Sequence, residues 1–176
     1  MKREEKIKIE KWTNLKMKEI IFDSNIHKWK YKESKFDSFI LNKENLLFLI
    51  ETNDKIKFGG FVSSKIDKIV HNDDNKIENY ISDSNSFIFT FKDNKPMKFD
   101  IKKDNKYYSF RLYNEFSNRL FGIGYNDIVI CKQYKKSTIY QFEYSSYDYQ
   151  GIEKAVIGKI GYQIFSPKRI LVIQMR

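Results

Sequence analysis

The residues from Leu46 to Val62 constrain the fold of this chain more than any other stretch. Leu46-Leu47-Phe48-Leu49-Ile50 is an almost purely apolar run, and Thr52-Asn53-Asp54 follows it with turn chemistry. Asn and Asp tolerate left-handed backbone and bond their own main chain. Beyond the turn, Ile56, Phe58 and Gly60 fall on one face at period two. The pattern predicts a β-hairpin whose first arm is buried on both faces and whose second arm is half buried. Gly59-Gly60 is expected to end the second arm, at a bulge or a close backbone approach that leaves no room for a Cβ.

On either side, the chain reads as short strands with few helices. Lys18 to Phe22 is a strand stopped by Asp23-Ser24-Asn25, and Ser34 or Asp37 can cap a short helix through Phe36, Phe39, Ile40 and Leu41. Ser63-Ser64 can cap a second helix carrying Ile66, Ile69 and Val70. The residues from His71 to Ser84 read as loop. Strands are then expected over Ser86–Phe91, Met97–Ile101, Tyr107–Tyr113, Asp127–Lys132, Ser137–Tyr144 and Arg169–Met175, with a short helix over Gly151–Gly158. No β-α alternation appears. The expected class is α+β and β-rich, an antiparallel two-sheet β-sandwich with a few short flanking helices. Residues 1–11 read as a basic lead and 12–176 as a single domain.

Searches for reaction chemistry return little. Phe121-Gly122-Ile123-Gly124 matches only G-x-G and precedes a strand, where a pyrophosphate site needs a helix N-terminus. His27 and His71 are the only histidines and lie far apart, so a zinc site of the usual composition has no ligands; His27 reads as a strand-exit loop residue. Asp73-Asp74 and Asp83-Ser84-Asn85 lack the spacing of a calcium loop. Ser63, Ser64 and Cys131 have no G-x-S-x-G context or nearby base. The expectation is a protein without catalytic residues, metal or cofactor. Cys131, the single cysteine, sits in a strand pattern and reads as a buried core thiol in a reducing, cytoplasmic setting. The N-terminus lacks the apolar segment of a secretory signal, and no apolar run is long enough to span a membrane.

The net charge of +10 raises nucleic acid as a partner. Only Arg3, Arg111, Arg119, Arg169 and Arg176 among the 33 basic residues are arginine. Arginine makes the bidentate base contacts, whereas lysine is mostly a solvated point charge. Aromatics interleaved with Lys at Tyr107-Tyr108-Ser109-Phe110-Arg111 and Tyr134-Lys135-Lys136 keep nucleic-acid or anionic-surface binding as the alternative function.

Several segments, in order, resemble the TLDc domain. They are Glu19-Ile20-Ile21-Phe22-Asp23-Ser24, the helix bearing Phe36, and the hairpin with Phe58-Gly59-Gly60-Phe61. Ser86-Phe87-Ile88-Phe89-Thr90-Phe91 resembles the family's F-x-F strand. Phe121-Gly122-Ile123-Gly124-Tyr125-Asn126-Asp127 resembles a reduced form of its glycine-rich turn, and Phe165 to Met175 its closing strand. Three departures stand out: the glycine run is shortened, the closing strand has Leu171 where the family often has Glu and lacks its usual Trp, and Tyr144-Ser145-Ser146-Tyr147 replaces a Gly-Arg-Ser-type turn. The resemblance implies a β-sandwich and a protein-interaction module. It also implies a role in oxidative-stress resistance or in regulating the vacuolar proton ATPase, with a subunit of that pump as partner. It carries over no catalytic residue.

Overall fold

The computed structural model describes residues 1–71, 76–141, 145–152, 156 and 161–176. The predicted hairpin is its centre. Strands β2 (Leu46–Thr52) and β3 (Lys57–Val62) pair without a register shift, Leu46 opposite Val62 and Ile50 opposite Phe58. Around them, β1 (Met17–Asp23), β4 (Phe87–Thr90), β5 (Met97–Asp100) and β11 (Pro167–Met175) complete a six-stranded sheet in the order β1-β11-β2-β3-β4-β5. The last strand of the chain is thus inserted between the first strand and the hairpin. A second sheet has the order β10-β9-β8-β7-β6. It contains β6 (Phe110–Leu112), β7 (Arg119–Ile123), β8 (Ile128–Cys131), β9 (Ser137–Gln141) and β10 (Gly161–Phe165). All neighbouring strands in both sheets run antiparallel. This is the expected β-rich sandwich.

Period-two alternation directs Phe48, Ile50, Phe58 and Ile88 from the large sheet against Phe110, Phe121 and Ile123 of the small one. Phe48 lies 4.7 Å from the ring of Phe110 and 4.9 Å from that of Phe121. Helix α2 (Phe36–Ile40) plugs one end of this core, Phe36 meeting Phe22 edge-on at 4.8 Å and stacking on Phe121 at 5.4 Å. Ser34, one of the two expected caps, accepts the Phe36 amide.

The opposite face of the large sheet is apolar too. Leu47, Leu49, Phe61, Phe87, Phe89, Phe91, Leu171 and Ile173 point away from the small sheet and are all buried. Their cover is helix α1 (Arg3–Thr13), which takes up most of the stretch expected as a basic lead. Glu5 reaches back to the Lys2 amide at 2.7 Å and tightens the first turn, and Asn14 closes the helix in the left-handed region. Ile9 is fully buried, Trp12 stacks on Phe91 at 6.0 Å, and Lys57 pairs with Glu5 at 2.9 Å. The second hairpin arm is therefore buried on both faces, not one.

The two glycines lie inside β3, not at its end. A Cβ on Gly59 would overlap the Phe48 carbonyl oxygen, and one on Gly60 would lie 2.9 Å from Cδ1 of Ile123 in the facing sheet. The expected close approach is real, and its position is mid-strand.

Two further expectations are corrected. No helix follows Ser63-Ser64; the buried Asp83 carboxylate accepts both of their amides, but the Ile66 amide then goes to the Lys43 carbonyl and the Val70 amide to the Leu112 carbonyl, so no helical ladder forms and Val70 bridges Tyr113. The strand expected from Tyr107 begins only at Phe110, because residues Lys103–Tyr108 wind into a 3-10 helix tied down by Ser109 Oγ on the Lys106 carbonyl. The acidic pair Asp73-Asp74, the end of the strand expected over Ser137–Tyr144, and most of the helix expected over Gly151–Gly158 lie outside the described residues.

Candidate functional site

The outer face of the small sheet differs from every other sheet face. Its register lines up Arg111, Gly122, Val129, Thr138 and Ile164 in one row across five strands. Arg119 opposes Cys131 in an adjacent row, and Tyr140 opposes Tyr162 in another. These side chains point away from the sandwich core. Tyr125, Tyr140, Tyr162 and Ile164 are 41%, 38%, 55% and 57% exposed.

The surface is hollowed into two adjoining recesses. One, of about 630 Å³, is bordered by Tyr125, Val129, Thr138, Tyr140, Tyr162 and Lys136. The other, of about 450 Å³, is bordered by His71, Tyr113, Asn114 and Phe116. Arg119 and Cys131 line both. Cys131 is thus half-buried on the outer face, and the expected core thiol is corrected: the inward positions of β8 are Ile128 and Ile130, so the alternation turns Cys131 outward.

Behind Tyr113 and Tyr125, which line the recesses, lies a buried stack of tyrosine and arginine. Arg111 is fully buried with its guanidinium 4.4 Å from the ring centre of Tyr80 and 5.3 Å from that of Tyr113, and it donates to Asn126 at 3.0 Å. Arg119 donates to the Tyr113 hydroxyl at 3.2 Å. Tyr80 stacks on Tyr125 and bonds its carbonyl, and burial raises the Tyr80 phenol well above its ordinary value. Arg111 and Phe110, interleaved with lysine in the sequence, are therefore structural and closed to a nucleic acid.

The floor is built from the glycine-containing turn. Gly124 adopts φ +71, and a Cβ there would overlap the Asp127 carboxylate. Asp127 is buried and accepts the Ser146 amide at 3.0 Å and the Tyr149 hydroxyl at 3.2 Å. Burial pushes its pKa up to about 6 against those hydrogen bonds. Ser146 Oγ in turn accepts the Tyr125 amide at 2.8 Å. The shortened glycine run and the Ser145-Ser146 segment are thus partners in space, so two of the three departures meet at one place.

The remaining singled-out residues lie elsewhere. Phe22, Asp23 and Ser24 join β1 to β11, with Arg169 bridging Asp23 and Ser24 Oγ accepting the Ile170 amide. Phe61, Phe87 and Phe89 lie under α1, and Phe58 is in the inter-sheet core. Of the twelve, only Gly122, Gly124 and Asp127 approach the recesses. His27 is a loop residue as read, its Nδ1 accepting the Asp23 amide at 3.0 Å. Sequence reasoning missed the recess-lining Thr138, Tyr140 and Tyr162, whose signal is a run of alternate positions in two strands.

A two-sheet sandwich with one outer sheet face roofed by a helix and the other left open defines a β-sandwich domain. The family model of the TLDc domain matches residues 6–157. The chain belongs to the TLDc domain family, a family of protein-interaction domains. A comparison with curated proteins returns no match. The family match stops before β10 and β11, although β11 is the strand that locks β1 to the hairpin.

Proposed function

We propose that this chain is a non-enzymatic TLDc-type interaction module that works in the cytoplasm, in the oxidative-stress response or in regulation of the vacuolar proton ATPase. Family membership supports the interaction role. The observation that carries it here is the contrast between the two sheets: α1 covers the outer face of one, while the other presents Tyr125, Tyr140, Tyr162 and Ile164 to solvent. Tyrosines on a rigid sheet give large contact area at little entropic cost, which suits a docking surface. Affinity capture from the protein's own cells tests the reading. Specific enrichment of a proton-pump subunit or another defined protein is the expected result. Recovery of nothing beyond what an unrelated basic protein captures overturns it.

The competing reading, anionic-surface or nucleic-acid binding, draws on the +10 charge. Its basic residues are partly engaged already: Arg111 and Lys132 are buried, and Lys57 is paired with Glu5. A titration at two salt concentrations separates the two readings, since phosphate binding falls steeply with salt.

A further inference from the structure

We propose that the trough on the outer face of the small sheet is a docking site for an extended acidic peptide segment of a protein partner, a reading that rests on the interaction role above. Three features of the trough select that occupant. Among the described residues that line it, the charges that reach solvent, on Lys136 and Arg119, are positive. Lys136 is exposed, donates only to the neutral Ser166 hydroxyl at 3.4 Å, and pairs with no carboxylate among the described residues. Arg119 is half-buried at the junction of the two recesses. Among the described residues the lining carboxylate is Asp127, which is 2% exposed and turned into the Ser146 and Tyr149 hydrogen bonds, so it presents no opposing surface charge.

The second feature is shape. The two recesses share Arg119 and Cys131 and are lined from four successive strands through Tyr162, Tyr140, Val129 and Arg119, a span that suits an extended backbone. The third is the mixture of donors and apolar surface. The rings of Tyr125, Tyr140 and Tyr162 offer flat apolar area for aliphatic or aromatic anchors, and their hydroxyls can donate to carboxylates. A peptide alternating acidic and apolar residues satisfies both halves of this lining.

Cys131, the single cysteine, lies at the junction and reports occupancy. The test follows its alkylation by a small maleimide in the whole chain. A synthetic peptide alternating glutamate with leucine and tyrosine is titrated against a matched peptide carrying glutamine for glutamate, and against oligothymidylate. The glutamate peptide is expected to protect Cys131 saturably, and the glutamine peptide to bind about tenfold more weakly. Lys136→Glu, a substitution at an exposed position, is expected to weaken the glutamate peptide by about tenfold, and added salt to weaken it in the wild type. Calorimetric titration of the same peptides, which does not depend on the thiol, should give the same order.

Equal binding of the two peptides, binding of neither, or oligothymidylate binding as tightly as the glutamate peptide each overturns the proposal. The last outcome would make the trough a polyanion site. A cellular partner captured equally by wild type and Lys136→Glu sinks the trough while leaving the module reading intact. Peptide binding without a captured partner does the reverse.

Discussion

Asp23 accepts two hydrogen bonds from Arg169, Nε to Oδ1 at 3.1 Å and Nη2 to Oδ2 at 2.6 Å. The pair ties the end of the first sheet strand to the last strand of the chain, 146 residues away in sequence. The Asn25 amide supplies a third bond to the same carboxylate. The Arg169 hydrogen bond, followed by the smaller contributions of the Asn25 amide and the Arg169 charge, holds the Asp23 carboxyl below its ordinary pKa. A lowered folded-state pKa gives stability that is present above the unfolded value and lost as pH falls through the folded one.

Asp23→Ala is expected to destabilise the fold by about 2 kcal/mol, and Arg169→Lys by less than Arg169→Ala, since lysine cannot form the two-pronged contact. Urea unfolding at neutral and acidic pH checks both statements. The Asp23→Ala penalty should shrink at acid pH. A penalty independent of pH would show that the carboxylate charge is not what joins the strands.

The glycines predict an order of costs. Gly59→Ala drives a Cβ into the Phe48 backbone, which cannot move without breaking the β2–β3 ladder. Gly60→Ala meets the flexible end of Ile123 at 2.9 Å, and Gly122→Ala finds its nearest neighbour at 3.8 Å. The expected losses are about 3 kcal/mol or more for Gly59→Ala, about 1–2 for Gly60→Ala and near zero for Gly122→Ala. Chemical denaturation of the three variants checks the order. A Gly122→Ala variant as damaged as Gly59→Ala would contradict the packing described.

This order also marks what the sequence could and could not reveal. Leu46–Ile50 announced a strand buried on both faces, because no polar residue interrupts it. The second arm looked half-buried because its alternation, with Gly59-Gly60 in it, is incomplete, and because the helix roofing it has a weak period. Ile7, two residues from Ile9, falls on the opposite face of the helix and is 55% exposed, whereas Ile9 and Trp12 make the contact. The loop 63–70 reads as a helix because its apolar spacing is helical; its Ile66 and Val70 amides bond the distant Lys43 and Leu112 carbonyls instead of a preceding turn. The trough was not legible. Arg119, Cys131, Thr138, Tyr140 and Tyr162 meet only through the register of four strands, which no local pattern encodes.

Removing the roof should expose an apolar face. Trp12 lies 6.2 Å from Phe87, 6.2 Å from Phe89 and 6.0 Å from Phe91. Trp12→Ala is expected to cost about 3 kcal/mol and to increase binding of a hydrophobic dye. Unchanged dye binding together with unchanged melting would mean that α1 is not a structural cover.

Asp127 gives a pH signature of the opposite sign to Asp23. Its folded pKa, pushed up mainly by burial from 3.8 to about 6, means that the folded chain holds its proton more tightly than the unfolded one. Its contribution is fully present below about 3.8 and lost as pH rises through about 6, by about 3 kcal/mol in total. Asp127→Asn, which keeps the shape, should flatten stability across that window. A variant retaining the wild-type slope would assign the slope to other groups.

The account stands or falls on whether the open sheet face is where partners dock. Tyr162 and Ile164 are 55% and 57% exposed, so charging them should not disturb the core. The decisive measurement compares proteins captured from the native cell by wild type and by Tyr162→Glu/Ile164→Glu, with melting temperatures recorded for both. The account predicts an unchanged melting temperature and loss of the specific partner. Capture of the same partner in the same yield by both would contradict it.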